Sequence, residues 1–284
     1  MIRSEGAGKP RRILTKAEGG VKPAFELGLL LYESSEAQDL YVQDLRRAMA
    51  AAGHQLVVAS KTLADLNYGP QQVATMVGAQ PFSAWIVKSA PRPILEWFAQ
   101  SKLPSFALFG MMTDLPLAGS GPDMLPALRE SLQKLFDQGH QRIVMLTRRE
   151  RRKSSIGLTQ QTFLDELRAR GIRSGDYDLP DWSESSGGLK ACLDSLFAVT
   201  PPTAIYVMTG ELLLAVQNYL ARRRDRGHGD VTLICPEYHP NYDWCDPQVP
   251  HLRWESEKII RQAVNWVDGL AAGKKSHRQK LFPS

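Results

Sequence analysis

Short, unbroken apolar runs recur along the chain: FELGLLLY (25–32), HQLVVAS (54–60), AWIVKS (84–89), SFALFG (105–110), RIVMLT (142–147), TAIYVMT (203–209) and VTLIC (231–235). Each has the length of a strand, and the apolar residues follow one another rather than alternate. That pattern predicts strands covered on both faces, as in a parallel sheet. Between the runs, apolar positions fall at helical spacing. Ser35 and Gln38 fit a capping box ahead of Leu45, Met49 and Ala52, with Gly53 as the stop. Asp123 fits the N-cap of a helix striped by Leu125, Leu128, Leu132, Leu135 and Phe136 and closed by Gly139. Further stripes are Phe163, Leu164 and Leu167; Leu189, Cys192, Leu193 and Leu196; Leu212, Leu213, Val216 and Tyr219; and Ile259, Ile260, Ala263, Val264 and Val267. Strand and helix alternate through both halves, which predicts a doubly wound α/β architecture with right-handed crossovers.

In such sheets ligands bind beyond the carboxyl ends of the strands. The stretch TRRERRKSS (147–155) directly follows the run RIVMLT, so Arg148 and Arg149 are expected at that edge. The stretch carries five basic residues against one acid, which by composition alone suggests nucleic acid. The distribution of charge along the chain argues otherwise. The net +5 comes from the ends: +4 in residues 1–24 and +4 in residues 273–284, leaving −3 for the body between. A slightly acidic body is not a nucleic-acid surface.

At 284 residues, with 43% apolar residues and 8% aromatics, the chain fits two packed units of ordinary size. No apolar run approaches the roughly 20 residues of a membrane span. The opening MIRSEGAGKPRRIL lacks the apolar core of a signal peptide, so a cytoplasmic location is expected. Residues 1–23 are Gly-rich and basic and read as a linker behind an upstream segment. Cys192, Cys235 and Cys245 are odd in number and form no C-x-x-C pair, so reduced thiols are expected.

Enzyme signatures are missing: there is no phosphate-binding G-x-x-x-x-G-K-[ST] loop and no G-x-S-x-G elbow. AGSGPD (118–123) holds two glycines of a dinucleotide fingerprint without the third, and Asp123 would repel a phosphate there. No catalysis and no cofactor are therefore expected. Cys235, His239, Cys245 and His251 are residue types that bind zinc, but their spacing matches no known ligand pair and Pro236, Pro240 and Pro250 mark a loop, so no metal is expected. His140 follows a helix-ending glycine and reads as structural. Tyr32, Tyr238, Trp182, Trp244 and Trp254 offer rings either to a ligand or to the core.

Taken together, ALRESLQKLFDQGHQRIVMLT, then PPTAIYVMTGELLLA and VTLICPE in that order, resemble the effector-binding region of the lactose-repressor (LacI/GalR) family, relatives of periplasmic sugar-binding proteins. The resemblance runs from about residue 24 to the end. It implies two lobes of the type I periplasmic-binding-protein-like fold joined by three crossovers, near Gly139, Arg253 and Gly273. The lobes would comprise 24–139 with 254–272, and 140–253 with 273–284. It also implies a sugar-like effector in the cleft, a homodimer, and operator DNA bound through a head not present in this chain. GKPRRIL resembles the junction behind a GntR-type winged-helix head.

The cleft residues expected on this basis are Tyr32, Glu33, Lys88, Ser89, Asp123, Arg148, Arg149, Thr209, Glu211, Glu237 and Tyr238. Three usual sugar-binding positions depart from the family pattern, at Thr159, at Thr209–Gly210 and at Pro236–Glu237. The expected function is the ligand-sensing region of a transcription regulator; the alternative is a solute-binding receptor for a sugar transporter.

Overall fold

The computed structural model describes residues 25–148, 156–223, 231–246 and 248–284. In chain order the elements are β1 (Glu26–Leu30), α1 (Leu40–Ala51), β2 (Gln55–Val58), α2 (Pro70–Gly78), β3 (Ala84–Lys88), α3 (Arg92–Gln100), β4 (Ser105–Leu108), β5 (Ala118–Asp123), α4 (Met124–Asp137), β6 (Ile143–Leu146), α5 (Leu158–Ala169), α6 (Ser186–Val199), β7 (Ala204–Val207), α7 (Gly210–Ala221), β8 (Thr232–Ile234), α8 (Ser256–Ala271) and β9 (Gln279–Pro283). They form two wholly parallel sheets, ordered β2-β1-β3-β4-β5-β9 and β6-β7-β8. The α/β class read from the apolar runs is what the chain adopts.

Both sheets are covered on both faces, which explains the continuous apolar strands. On one face of the first sheet Leu27, Leu29 and Leu31 pack with Leu45 and Met49 of α1 and with Ile259 and Val267 of α8. On the other, Leu30 meets Val73 of α2 and Leu95 and Phe98 of α3. In the second sheet Val144 and Leu146 face α6 and α7, while Ile143 and Met145 face α4 and α5. Burying such a Leu or Ile side chain fully contributes roughly 1.5–3 kcal/mol. Gly28 lies where a Cβ would come within 2.6 Å of the Phe82 ring and 2.7 Å of the Trp85 ring, so those aromatics occupy the space over the centre of β1.

The helix ends carry their own chemistry. Asp123 caps α4 by accepting from the Leu125 N–H at 3.4 Å. Gly139 takes φ +84°, its N–H donating to Phe136 O and the His140 N–H to Leu135 O, which closes the helix with a paired turn that a side chain at 139 would strain. The His140 ring then bonds Thr203 Oγ1 at 3.0 Å and Thr232 Oγ1 at 3.3 Å, tying the residues just before β7 and at the start of β8.

Several expectations need correction. AGSGPD, which carries two glycines of a dinucleotide fingerprint, forms strand β5: Gly119 packs with no room for a Cβ beside Met112 and Ala107, and the Ser120 hydroxyl donates to Lys280 O. Helix α4 packs with the second sheet, so the chain leaves the first sheet at Asp123 rather than near Gly139. The turn at Gly273 leads into β9, which pairs with β5; residues 273–284 therefore belong with the first sheet, not the second. The capping box at Ser35 and Gln38 does not form: Ser34–Gln38 is a single 3-10 turn, and Leu40 starts α1. Among the described residues no helix is long and apolar enough to cross a membrane.

Candidate ligand-binding cleft

The carboxyl edge of the first sheet is held in costly backbone conformations. Asn67 and Tyr68 follow β2, Ser89 follows β3, and Phe109 and Asp114 follow β4; all five have φ between +49° and +63°. Each such conformation costs on the order of 1–3 kcal/mol in a non-glycine residue, and such residues gather where a loop must be held in one shape. The sheet supplies part of that hold, through Ser89 N–H to Leu108 O at 2.7 Å and Phe109 N–H to Ser120 O at 2.9 Å. Lys88, buried at the end of β3, places its ammonium 2.5 Å from Glu36 Oε1 and 3.4 Å from Asp39 Oδ2. Burial raises the pKa of both carboxyls, and Lys88 offsets this only in part; the carboxylates of Glu211 and Glu33 push Asp39 further the same way.

The carboxyl edge of the second sheet holds a cavity of about 260 Å³, lined by Arg148, Trp182, Glu184, Thr209 and Glu211 together with Ser185, Ser186, Leu189 and Leu212. Its position follows from the fold. Arg148 lies just beyond β6 and Thr209 just beyond β7, where Thr209 Oγ1 caps α7 by accepting from the Leu212 N–H. Ser185 caps α6 by accepting from the Gly188 N–H at 3.0 Å. The Trp182 indole N–H donates to Thr147 O at 3.2 Å and so fixes one wall against the end of β6. The first residue of α7, Gly210, donates its N–H to Glu237 Oε2 at 3.0 Å, so the positive end of that helix already meets a carboxylate.

Among the described residues, the Arg148 side chain reaches from one edge to the other. Arg148 Nη1 donates to both carboxylate oxygens of Glu33, at 2.9 and 2.8 Å, and its Nε donates to Glu184. The guanidinium carbon lies 6.0 Å from the centre of the Tyr32 ring. Burial opposes the charge on Arg148, but the hydrogen bonds it donates to Glu184 and Glu33 outweigh it and raise the pKa.

The family model for the periplasmic binding protein-like domain matches residues 132–284, more than half of the chain. The chain belongs to this family. No curated protein matches this periplasmic binding protein-like chain in sequence. Solved structures share its fold along nearly its whole length. A regulatory protein of the LacI family from Chloroflexus aggregans aligns at 16% identity and TM-score 0.70, covering 91% of this chain and 95% of that one. The transcriptional regulator CelR in complex with cellobiose aligns at 15% and 0.71, covering 93% and 84%. A periplasmic binding protein/LacI transcriptional regulator from Alkaliphilus metalliredigens QYMF, complexed with D-xylulofuranose, aligns at 13% and 0.69, covering 92% and 96%.

Within this periplasmic binding protein-like fold, the residues singled out from sequence fall into four groups. Arg148, Thr209 and Glu211 line the cavity, and Glu33 and Tyr32 meet Arg148 from the first sheet. Lys88 and Ser89 sit at the first edge, with Lys88 engaged by Glu36 and Asp39. Glu237 is spent on the start of α7, Asp123 on the start of α4, and the Tyr238 hydroxyl donates to Asp243 at 3.0 Å while Arg253 lies over its ring. Arg149 lies outside the described residues.

Glu184, Ser185 and Ser186 were missed. Their signal was present as SESSGG, a helix start that the strand-edge rule places beside Arg148. In the loop that raised the zinc question, the Cys235 thiol lies 3.7 Å from the Tyr242 hydroxyl, is pushed up to about 11 by burial, and His251 Nδ1 bonds Val249 O.

Proposed function

We propose that this chain is the ligand-sensing region of a DNA-binding transcription regulator of the lactose-repressor kind. A sugar or sugar derivative occupies the cleft between two lobes, residues 25–123 with 256–283 and residues 124–251. Operator DNA is contacted by a head outside this chain, the regulator works as a homodimer in the cytoplasm, and no bond is made or broken in the bound ligand. The observation that carries this reading is the position of the 260 Å³ cavity at the carboxyl edge of the second sheet, walled by Trp182 and reached from the first sheet through Glu33. The fold relatives with cellobiose and D-xylulofuranose support the class of ligand.

The ligand contacts assigned under this reading are Arg148, Trp182, Thr209 and Glu211 from one side and Tyr32, Glu33, Lys88 and Ser89 from the other. The test is thermal unfolding in the presence of a panel of sugars, sugar acids and sugar phosphates. A ligand at a hundred times its Kd adds about 2.7 kcal/mol to stability and raises Tm accordingly. A panel that leaves Tm unchanged while Trp182→Ala also changes nothing in binding assays counts against a sugar sensor. Turnover of a bound sugar would replace it with an enzyme.

A further inference from the structure

Arg148 is a member of the second sheet's edge by sequence and of both edges by contact. It meets Glu33 through two hydrogen bonds from one nitrogen and Glu184 through a third from another, so one guanidinium spans a carboxylate from each side of the cleft. Ser35 Oγ donates to Glu33 Oε1 at 3.0 Å and orients that carboxylate toward the arginine. The side chains of Arg148, Glu33 and Glu184 are each only about a quarter exposed, at 24%, 24% and 23%. Partly dry, charge-assisted pairs of this kind are stronger than pairs on an open surface, and an arginine fork fixes geometry as well as distance. The same Arg148 also walls the cavity. A molecule that contacts Arg148 there shares the guanidinium with Glu33.

We propose that Glu33, Arg148 and Glu184 form a latch across the cleft that holds the two lobes in the arrangement described, with Glu33 as the releasable side. Arg148 and Glu184 come from the same sheet unit and stay together when the cleft opens; Arg148 and Glu33 separate. Occupancy of the cavity is coupled to the lobe angle through Arg148, because the ligand contacts Arg148 and the angle depends on it. The latch depends on the cleft reading for its link to ligand. Its mechanical part stands without any ligand.

Small-angle X-ray scattering on the ligand-free protein reads the mechanical part directly. In low salt the unaltered protein is expected to be compact, and its radius of gyration to rise as sodium chloride increases toward molar concentration, where screening reaches within a few ångströms. Glu33→Gln is expected to show the larger radius already in low salt and to respond little to added salt. Glu184→Gln, which alters a pair within one side, is expected to stay near the unaltered radius. Equal radii and equal salt responses for the unaltered protein and Glu33→Gln overturn the latch. Should Glu33→Gln fail to fold, the unaltered protein decides alone: a radius that does not change with salt overturns the proposal. None of these readings uses a sugar, so a silent ligand panel and a failed latch remain distinct results.

Discussion

The Lys88 ammonium lies 2.5 Å from the Glu36 carboxylate, 52 residues earlier in the chain, and both groups are largely withdrawn from water. The pair ties the end of β3 to the turn that precedes α1. Asp39 completes it at 3.4 Å. Two carboxyls with raised pKa values share one buried cation, so the cation is what makes the arrangement tolerable.

Replacing that cation therefore carries a stated cost. Lys88→Met is expected to lower stability by about 3–5 kcal/mol near neutral pH, because it leaves two partly dry carboxylates without their partner. The loss should shrink as pH falls toward about 4–5. A carboxyl whose pKa is raised on folding takes up protons more readily in the folded than in the unfolded chain, so acid relieves the variant where alkali does not. Urea titrations of both proteins across that range measure the difference.

His140 predicts the opposite slope. Desolvation lowers its pKa from 6.5, so the unfolded chain binds the proton first as pH drops. Its contribution is unimpaired above about pH 7 and is lost progressively below the unfolded value. His140→Ala removes the bonds to Thr203 and Thr232 and is expected to cost about 1–3 kcal/mol at pH 7.5 while flattening this part of the pH profile. Thermal melts between about pH 5 and 8, the range in which histidine titrates, give both readings.

Gly28→Ala tests the packing over β1. The added methyl meets the Phe82 and Trp85 rings well inside contact distance, and Trp85 is fully buried. A loss of about 1–3 kcal/mol is expected, read as a lower urea midpoint with an unchanged slope.

Trp182 separates wall from anchor. Trp182→Phe keeps an aromatic ring but gives up the bond to Thr147 O, and should cost about 1 kcal/mol of stability. Trp182→Ala opens the cavity and should weaken any ligand found by thermal shift at least tenfold, as measured by calorimetric titration. Ligand affinity equal to that of the unaltered protein in Trp182→Ala would remove the cavity from the site.

The fold was legible where burial leaves a pattern. The seven apolar runs became seven strands because each is covered on both faces. Strands β5 and β9 left no such trace. The first is built of Ala, Gly and Ser because Met112 and Ala107 press against it, and the second buries only Phe282 of five residues. Helices α2 and α3, nine residues each, carry only short stripes at helical spacing, Val73 with Met76 and Val77, and Ile94 with Leu95 and Phe98. At the site, Arg148 was found from strand position alone, since the carboxyl end of β6 fixes where it must emerge. Its partners Glu33 and Glu184 lie 115 residues before it and 36 after it, and no local spacing relates them. The same holds for Lys88 with Glu36. Long-range charge pairing is a property of the folded surface, so it becomes visible only when the sheets are side by side.

The pairing of β9 with β5 gives the two halves different histories during synthesis. Residues 124–251 run without interruption from α4 through β8, so everything that packs around the second sheet leaves the ribosome in one stretch. The first sheet begins earlier but is completed later: α8 covers one of its faces and β9 closes beside β5 only when residues 279–283 have emerged. Until then the nascent chain exposes the apolar side of β1 and the bare edge of β5. The half that is translated first is thus the half that finishes folding second, and chaperones that bind exposed apolar segments have their longest opportunity there.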